Sequence, residues 1–489
     1  MQLETELVVI GGGGAGLAAA LTAAEKGVRV TVLEKRPTTG GNSTRAIGLF
    51  ASESPVQHRA NVVAYTDDLF KLAMNWAHWT INPRIVRAFF EKSGDTIRWL
   101  EELGLVFQCI PLYPGQNPLV WHATEGLGLE VVQVLADECK KLGVQILVRT
   151  PAKKILRGAR GEVTGVLAER EGEQFEIATS CVFIGTGGYA GNKEMIRKYC
   201  SNYDENMDCI GLPHTGDGIL MATEIGAATE GLGILHLGGP TVPDNIMLHL
   251  GSDSDALLLP LISVGLQPYM VWVNKKGLRF ADEMGGYNHF EVSNAVARQP
   301  KATSYSLFDS RMTQMICDNG LDVVVGKNQD RQRSKLPPGF EEELGALMNK
   351  GDRVYVTDSW DAMADWIGAD RATLKATVAE YNADCDRGCD PIFAKDRRFL
   401  LALRTPPYYA IRCKADFLDT IGGIKIDEHM QVLDQKDNPI PGLYAGGVDT
   451  GGWSAETYCA VLSGETFGFA INSGRIAAEH AITKFGLGS

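Results

Sequence analysis

Three glycines and one acid define the first chemistry this chain can do. Gly11, Gly13 and Gly16 stand at GxGxxG spacing directly after the apolar run Leu7 to Ile10, and Glu34 follows one helix and one strand later. That pattern binds a dinucleotide. Gly11 permits a tight turn, Gly13 lets the main chain approach a pyrophosphate, Gly16 lets helix and strand pack closely, and a carboxylate at Glu34 reaches a ribose hydroxyl. The pattern leaves both NAD and FAD open.

The elements that must hold these residues are legible around them. A strand over 7–10, a helix from Ala15 to Lys26 that closes at Gly27, and a strand from Val28 to Leu33 make one βαβ unit. Further strands are expected at Gln145 to Val148, Val163 to Leu167 and Cys181 to Ile184, with helices around Asn82 to Leu103 and Leu129 to Leu142, an α/β arrangement. After about residue 230 the composition turns to glycine, proline and polar loops, with a charged stretch from Lys327 to Lys335 before Pro337-Pro338. A second domain begins there. It includes a helix with Asp370 as N-cap and Leu374, Val378 and Tyr381 on one face, read as core packing. Near Ile421 the glycine-rich α/β character returns, and Ile440 to Gly447 reads as a turn, a short strand and a loop that exposes its main chain. The first domain is therefore expected to be discontinuous, over 1–232 and 403–489, with 233–402 inserted.

Composition narrows the partners. A chain of 489 residues is long enough for two or three domains, and a net charge of -13 argues against nucleic acid and for small molecules. The ten cysteines are scattered, without CxxC pairs, a haem-attachment motif or zinc spacing, so buried thiols of a reducing compartment are expected and no metal site. Cys385 and Cys389 form a CxxxC read as loop residues in a turn rich in Asp and Gly. The apolar stretch from Val8 to Ala24 has no basic segment ahead of it and contains four consecutive glycines. It is neither a signal peptide nor a membrane span, and a cytoplasmic location without membrane insertion is expected.

Several segments in a fixed order carry a wider resemblance. They are the opening fingerprint, Gly40-Gly41-Asn42-Ser43, Gly185-Thr186-Gly187-Gly188, Gly216-Asp217-Gly218, Asn274 to Glu283, Tyr381-Asn382, Thr420 to Gly423, and Gly442 to Gly447. In this order the chain resembles the FAD-dependent fumarate reductase and succinate dehydrogenase flavoprotein family, which also contains the 3-ketosteroid dehydrogenases, over nearly its whole length. The resemblance implies an α/β fold: a discontinuous Rossmann-like FAD-binding domain with an inserted α+β capping domain. It implies cofactor contacts from Gly11, Gly13, Gly14, Ala15 and Gly16, from Glu34 and Lys35, from Gly40, Gly41, Asn42 and Ser43, from Thr186, Gly187, Gly188 and Asp217, and from Gly446, Gly447 and Leu462. Covalent members of the family carry a flavin-linking His shortly after the GGNS-like segment. Here Thr44 to Gly48 has none, so non-covalent FAD is expected. The family's Glu after its GLYAAG-like run is replaced by Val448, with Asp449 one position on. No second nucleotide fingerprint appears, which counts against the two-nucleotide flavin reductases, and an external electron donor or acceptor is expected.

The substrate frame is kept and its residues are changed. Where fumarate reductases resemble one another in a proton-delivering Arg, this chain has Tyr287. Their His before the TxGG-like segment is replaced by Asp419. Their second carboxylate-binding Arg falls on Tyr458 or Val461, depending on the direction of counting. A tyrosine cannot replace the guanidinium fork, and an ionised Asp419 would repel a dicarboxylate, so fumarate and succinate are poor candidates. Tyrosines at 287 and 458 are similar to the 3-ketosteroid dehydrogenases, although Cys459 to Leu462 replaces the glycines those enzymes carry after the second tyrosine. The first expectation is interconversion of CH-CH and C=C beside the carbonyl of a cyclic or hydrophobic ketone, with Tyr287, Tyr458 or His289 carrying protons. The alternatives are an enoate reductase on an unsaturated monocarboxylate with an external electron donor, and an electron-transfer flavoprotein subunit. His122 and His236 are further histidines near such a cleft, with a structural hydrogen bond the commoner fate of each.

Overall fold

The computed structural model describes residues 3–243, 258–323 and 352–488. The charged stretch 327–335 and Pro337-Pro338 lie outside the described residues. The chain forms two compact units, one made of Met1–Ser201, Leu212–His236 and Asp419–Ser489, the other of Asn202–Gly211 and Leu237–Leu418.

The first unit is built on a six-stranded sheet of β1 (Leu7–Ile10), β2 (Val30–Leu33), β3 (Gln145–Leu147), β4 (Val182–Ile184), β5 (Gln431–Leu433) and β6 (Pro439–Ala445). Their spatial order is β5-β6-β4-β1-β2-β3, and only β5 runs antiparallel to its neighbour. Every residue of β1, β2 and β4 is buried, which is why these segments read as unbroken apolar runs rather than alternating ones. From β1 the chain builds outward through β2 to β3, then returns to β4 on the other side of β1. The reversal between β1 and β4 opens a crevice beyond their carboxyl ends, the place where doubly wound sheets hold ligands.

Two helices frame that crevice. Helix α1 (Gly14–Ala24) follows β1 and is buried from Gly14 to Ala23. Its run of alanines lets helix α2 (Glu465–Phe485) approach until a Cβ added to Gly474 would stand 2.2 Å from the Ala15 carbonyl oxygen. Helix α1 ends two residues earlier than its sequence pattern suggests, because Gly27 adopts φ +81° and Val28 N donates back to Ala23 O, turning the chain toward β2. The long helix Pro83–Glu102 starts as its sequence indicates, with Asn82 Oδ1 accepting from Arg84 N at 3.0 Å.

The second unit centres on a sheet in which Tyr408–Ile424 is flanked by Thr229–Thr241 and Thr303–Asp309, with Val271–Asn274 next and Val354–Thr357 also paired to Tyr408–Ile424. Residues 408–414 pair in antiparallel register with 303–309, and Ile210 N donates to Phe417 O at 2.9 Å. The second unit therefore reaches Leu418 and gathers Asn202–Gly211, beyond the 233–402 span that composition suggested, because long-range strand pairing leaves no trace in composition. The helix expected after Asp370 spans Arg371–Arg387, is capped by Asp370 Oδ1 at 2.8 Å from Thr373 N, and buries Leu374, Val378 and Tyr381 in this unit's core. Cys385 lies inside that helix and only Cys389 beyond its Gly388 cap, so the CxxxC is a helix end rather than a turn. None of the ten cysteines is joined in a disulfide, and no group of three metal-ligating side chains occurs among the described residues. Among the same residues, no helix is long and apolar enough to cross a membrane.

The closeness of α1 and α2 gives a direct test of this packing. Gly474→Ala is expected to destabilise the protein by at least the ~1–3 kcal/mol typical of overpacking. An unchanged thermal midpoint would mean that the two helices do not meet there as described.

Candidate functional site

The sheet's hydrogen-bond ladder continues past the strand ends into three glycines. Gly11 N donates to Leu33 O, Gly185 N to Ile10 O and Gly446 N to Ile184 O, at 2.8, 2.8 and 2.9 Å. Neighbouring strands thus turn at one level, and main chain meets main chain. A Cβ on Gly11 would lie 2.2 Å from Gly185 O, and one on Gly16 would lie 1.9 Å from Gly11 O. Gly13 differs, since the nearest atom to its missing Cβ is Gly40 O at 3.8 Å. The protein leaves this side open. Gly13 is also the N-cap of α1, provides no side-chain cap, and precedes a first turn without acidic residues. An open glycine at the positive end of a buried helix fits the pyrophosphate of a dinucleotide.

Polar side chains fasten the loops around that opening. Glu34 is buried, and its carboxylate accepts from Gly12 N at 2.9 Å and Arg36 N at 2.7 Å, which leaves lone pairs for a ribose hydroxyl. Lys35 and Asp217, both expected to touch the cofactor, bond each other at 2.7 Å, with Lys35 also donating to Thr215 Oγ1. Ser43 Oγ accepts from Gly14 N at 3.1 Å. Asn42 spans two segments: its Nδ2 donates to Asp419 Oδ2 at 2.7 Å, and its Oδ1 accepts from Leu212 N at 2.6 Å. Gly188 abuts Thr420, whose Oγ1 accepts from Tyr189 N at 2.8 Å. Gly447 N donates to Ser473 Oγ at 2.9 Å, and Leu462 is buried in the short turn Ala460–Leu462.

Asp449, the carboxylate displaced by one position in the sequence, holds the glycine turn after β4. It accepts from Thr186 N and Oγ1 and, at 2.9 Å, from Gly187 N. Burial pushes its carboxyl up to about 7, outweighing the Thr186 and Gly187 donors and nearby His214.

Asp419, read from the sequence as a charge that would repel a dicarboxylate if ionised, lies among partners of its own. It is 4% exposed, accepts from Asn42 and from Thr420 N at 2.9 Å, and stands 3.5 Å from His214 Nδ1. Its charge is answered by these partners inside the protein. His214 escaped the sequence reading. The only available signal was its place just ahead of Gly216-Asp217-Gly218.

The candidate proton carriers fall in both units. In the first, the Tyr458 hydroxyl accepts from Gly464 N, the N-cap of α2, at 2.6 Å, and its ring stacks on His236 at 4.8 Å. Burial raises the Tyr458 phenol and pushes His236 down to about 4, and His236 Nε2 has no hydrogen-bond partner among the described residues. In the second, Tyr287 lies in the short turn Glu283–Asn288, half-buried and edge-on to Phe399 at 6.3 Å, with its phenol raised by burial. His289 opens the next helix with its ring against Gly239, and burial pushes it down to about 4. His122 has the structural fate expected of it, bonded to Ser54 Oγ at 2.6 Å and Val120 O at 3.0 Å.

Residues 6–459 match the family model described as an FAD binding domain. The vinyl phenol reductase of Lactiplantibacillus plantarum is 30% identical over 486 residues, covering 97% of this chain and 96% of that protein. Among solved structures, the open conformation of a flavocytochrome c3 fumarate reductase aligns with a TM-score of 0.73 at 26% identity, over 98% of this chain and 78% of that one. A 3-ketosteroid delta1-dehydrogenase from Sterolibacterium denitrificans aligns at 0.78 but with 20% identity, over 98% and 100% of the two chains, a likeness of fold alone.

Two outcomes follow from the seat's geometry. Gly13→Val is expected to fold, since no protein atom opposes its first carbon, yet to purify without dinucleotide; stoichiometric cofactor in the variant would show the opening to be misassigned. The second concerns Asp449. A carboxyl raised on folding contributes stability that is complete below the ordinary carboxylate range and lost as pH rises toward 7. Thermal midpoints from pH 4 to 8 should therefore fall in the wild type relative to Asp449→Asn, whose side chain keeps an acceptor for both amides. Parallel profiles would place the Asp449 titration elsewhere.

Proposed function

The chain belongs to the FAD binding domain family and is an FAD-dependent oxidoreductase acting on carbon–carbon double bonds; on that premise we propose that it is a reductase of conjugated double bonds in uncharged substrates, supplied with electrons by an external donor. The observation that carries this reading is the similarity to vinyl phenol reductase along nearly the full length of both chains. It displaces the ketosteroid dehydrogenation first expected from the tyrosines, because the steroid enzyme shares the fold at only 20% identity. The substrate positions support an uncharged alkene. Arginine is absent from the places where carboxylate clamps were expected: Tyr287 stands at one, and Tyr458 or Val461 at the other.

The reduced flavin supplies hydride when bound. What this chain's own residues add is a proton and its placement. Phenols raised by burial keep their protons at neutral pH, so Tyr287 and Tyr458 act as acids rather than bases, which suits reduction. His289 and His236, both pushed down to about 4, are neutral near pH 7 and hold no proton to spare. Tyr287 gains a fixed position from Glu283 at the start of its turn. That carboxylate accepts from Trp272 N at 3.1 Å, takes Arg279 in two hydrogen bonds at 3.0 and 2.8 Å, and faces the fully buried Lys395 at 3.2 Å. Lys395 in turn donates to Met270 O at 2.7 Å and Tyr381 OH at 3.1 Å. Tyr458 is anchored by its bond to Gly464 N at the start of α2.

Dithionite-reduced holoenzyme, mixed anaerobically with a panel of alkenes, tests the reading. Reoxidation by a neutral vinyl arene or enone should outpace that by fumarate, and acid should release the FAD. Bleaching of the oxidised enzyme by cyclic ketones, with no reoxidation by any alkene, would return the reaction to dehydrogenation. Tyr287→Phe should retain FAD and lose roughly a hundredfold in turnover; full activity would remove Tyr287 from proton delivery.

A further inference from the structure

His214 sits among the loops of the FAD seat, and the glycine fingerprint does not account for it. Its two ring nitrogens face different surroundings. Nδ1 stands 3.5 Å from Asp419 Oδ2. Nε2 is the nearest atom, at 3.7 Å, to the point a Cβ on Gly41 would occupy, and that same point lies 3.9 Å from the Cα of Gly13. One edge of the ring therefore faces an acid, and the other faces the gap that Gly13 and Gly41 keep open. The ring is fixed by contact with Gly187, whose φ of +85° lets the turn fold around it; a Cβ there would lie 2.8 Å from Nδ1. Asp419 is itself held by Asn42 and Thr420 N, so its orientation toward His214 is built into the loops.

We propose that His214 is a cofactor-binding residue, set by Asp419 so that its Nε2 edge opposes the negative charge of bound FAD. The charge balance around the ring supports this. Burial works against the imidazolium, but Asp419 and then Asp449 outweigh it and raise His214 above the usual histidine range, with Arg36 opposing them. Asp217, the remaining acid that senses His214, is paired to Lys35. FAD has two sources of negative charge for this edge to meet: the pyrophosphate, charged in both redox states, and the ring once reduced.

The test is FAD affinity and reduction potential of the holoprotein, measured from pH 6 to 9 in an Asp449→Asn background so that the Asp449 carboxyl does not titrate in the same window. The parent, His214→Gln and Asp419→Asn are compared. The parent should bind FAD less tightly as pH rises through the His214 titration. His214→Gln, which keeps a donor and loses the charge, should bind about tenfold more weakly at pH 6.5, a difference of about 1.4 kcal/mol, with a flat profile. Asp419→Asn should move the weakening to lower pH, because the imidazolium loses its counter-charge. Weaker binding at an unchanged potential assigns the contact to the pyrophosphate. Unchanged binding of oxidised FAD with a lowered potential assigns it to the reduced ring. If His214→Gln matches the parent in affinity, pH profile and potential, the proposal fails. Should that variant not fold, the direction of the Asp419→Asn shift decides alone, and a shift upward or none overturns it.

Discussion

The contact of main chain with main chain at the ends of β1 and β4 is the constraint on which the first unit depends. Gly11 and Gly185 approach until no side-chain carbon fits between them, and the ladder that joins them also ties in Gly446 and Leu33. Because three parallel strands end at one level, their loops open on one crevice. Helix α1 begins in that crevice, fully buried and without an acid in its first turn, so its positive end is free to meet a ligand rather than a side chain. The packing of α2 on α1 through Gly474 follows from the same smallness of residues.

Loops so rich in glycine have little stiffness of their own, and buried polar side chains supply it. Asp449 clasps the turn after β4, Asn42 joins the 41–45 turn to Leu212 and Asp419, and Thr420 holds Tyr189. Asp449 and Thr420 are buried and Asn42 is half-buried, and each accepts at least one main-chain amide. That arrangement makes a buried polar group stabilising rather than costly. Asp419 is one of these internal partners, accepting from Asn42 and standing beside His214. In the second unit, Glu283 does for the Tyr287 turn what Asp449 does for the glycine turn, with Arg279 and Lys395 supplying the opposing charge.

Much of this was legible in the residues. The βαβ unit, the Asn82 and Asp370 caps and the buried face of the helix after Asp370 follow from local rules of spacing and capping, which act within a few residues. The displaced carboxylate at Asp449 was visible as a departure, though what it would bond was not. His214 and Lys395 were missed because each gains its meaning from residues far along the chain: Asp419 and Gly41 for the one, Met270, Glu283 and Tyr381 for the other. The boundary of the second unit was misplaced for the same reason. Pairing of 303–309 with 408–414 carries the chain past residue 402, and no composition shift marks it.

The sequence by itself determined that a dinucleotide is held and which strand, turn and helix receive it, because those depend on main-chain geometry that only glycine permits at fixed spacing. Tertiary structure alone decided which polar groups face one another and hence their protonation. It buried Asp449 until its carboxyl rose to about 7, paired Asp419 with His214, and left His289 and His236 neutral. Burial and charge pairing are sums over neighbours in space, and the neighbours that matter here lie up to several hundred residues apart in the chain.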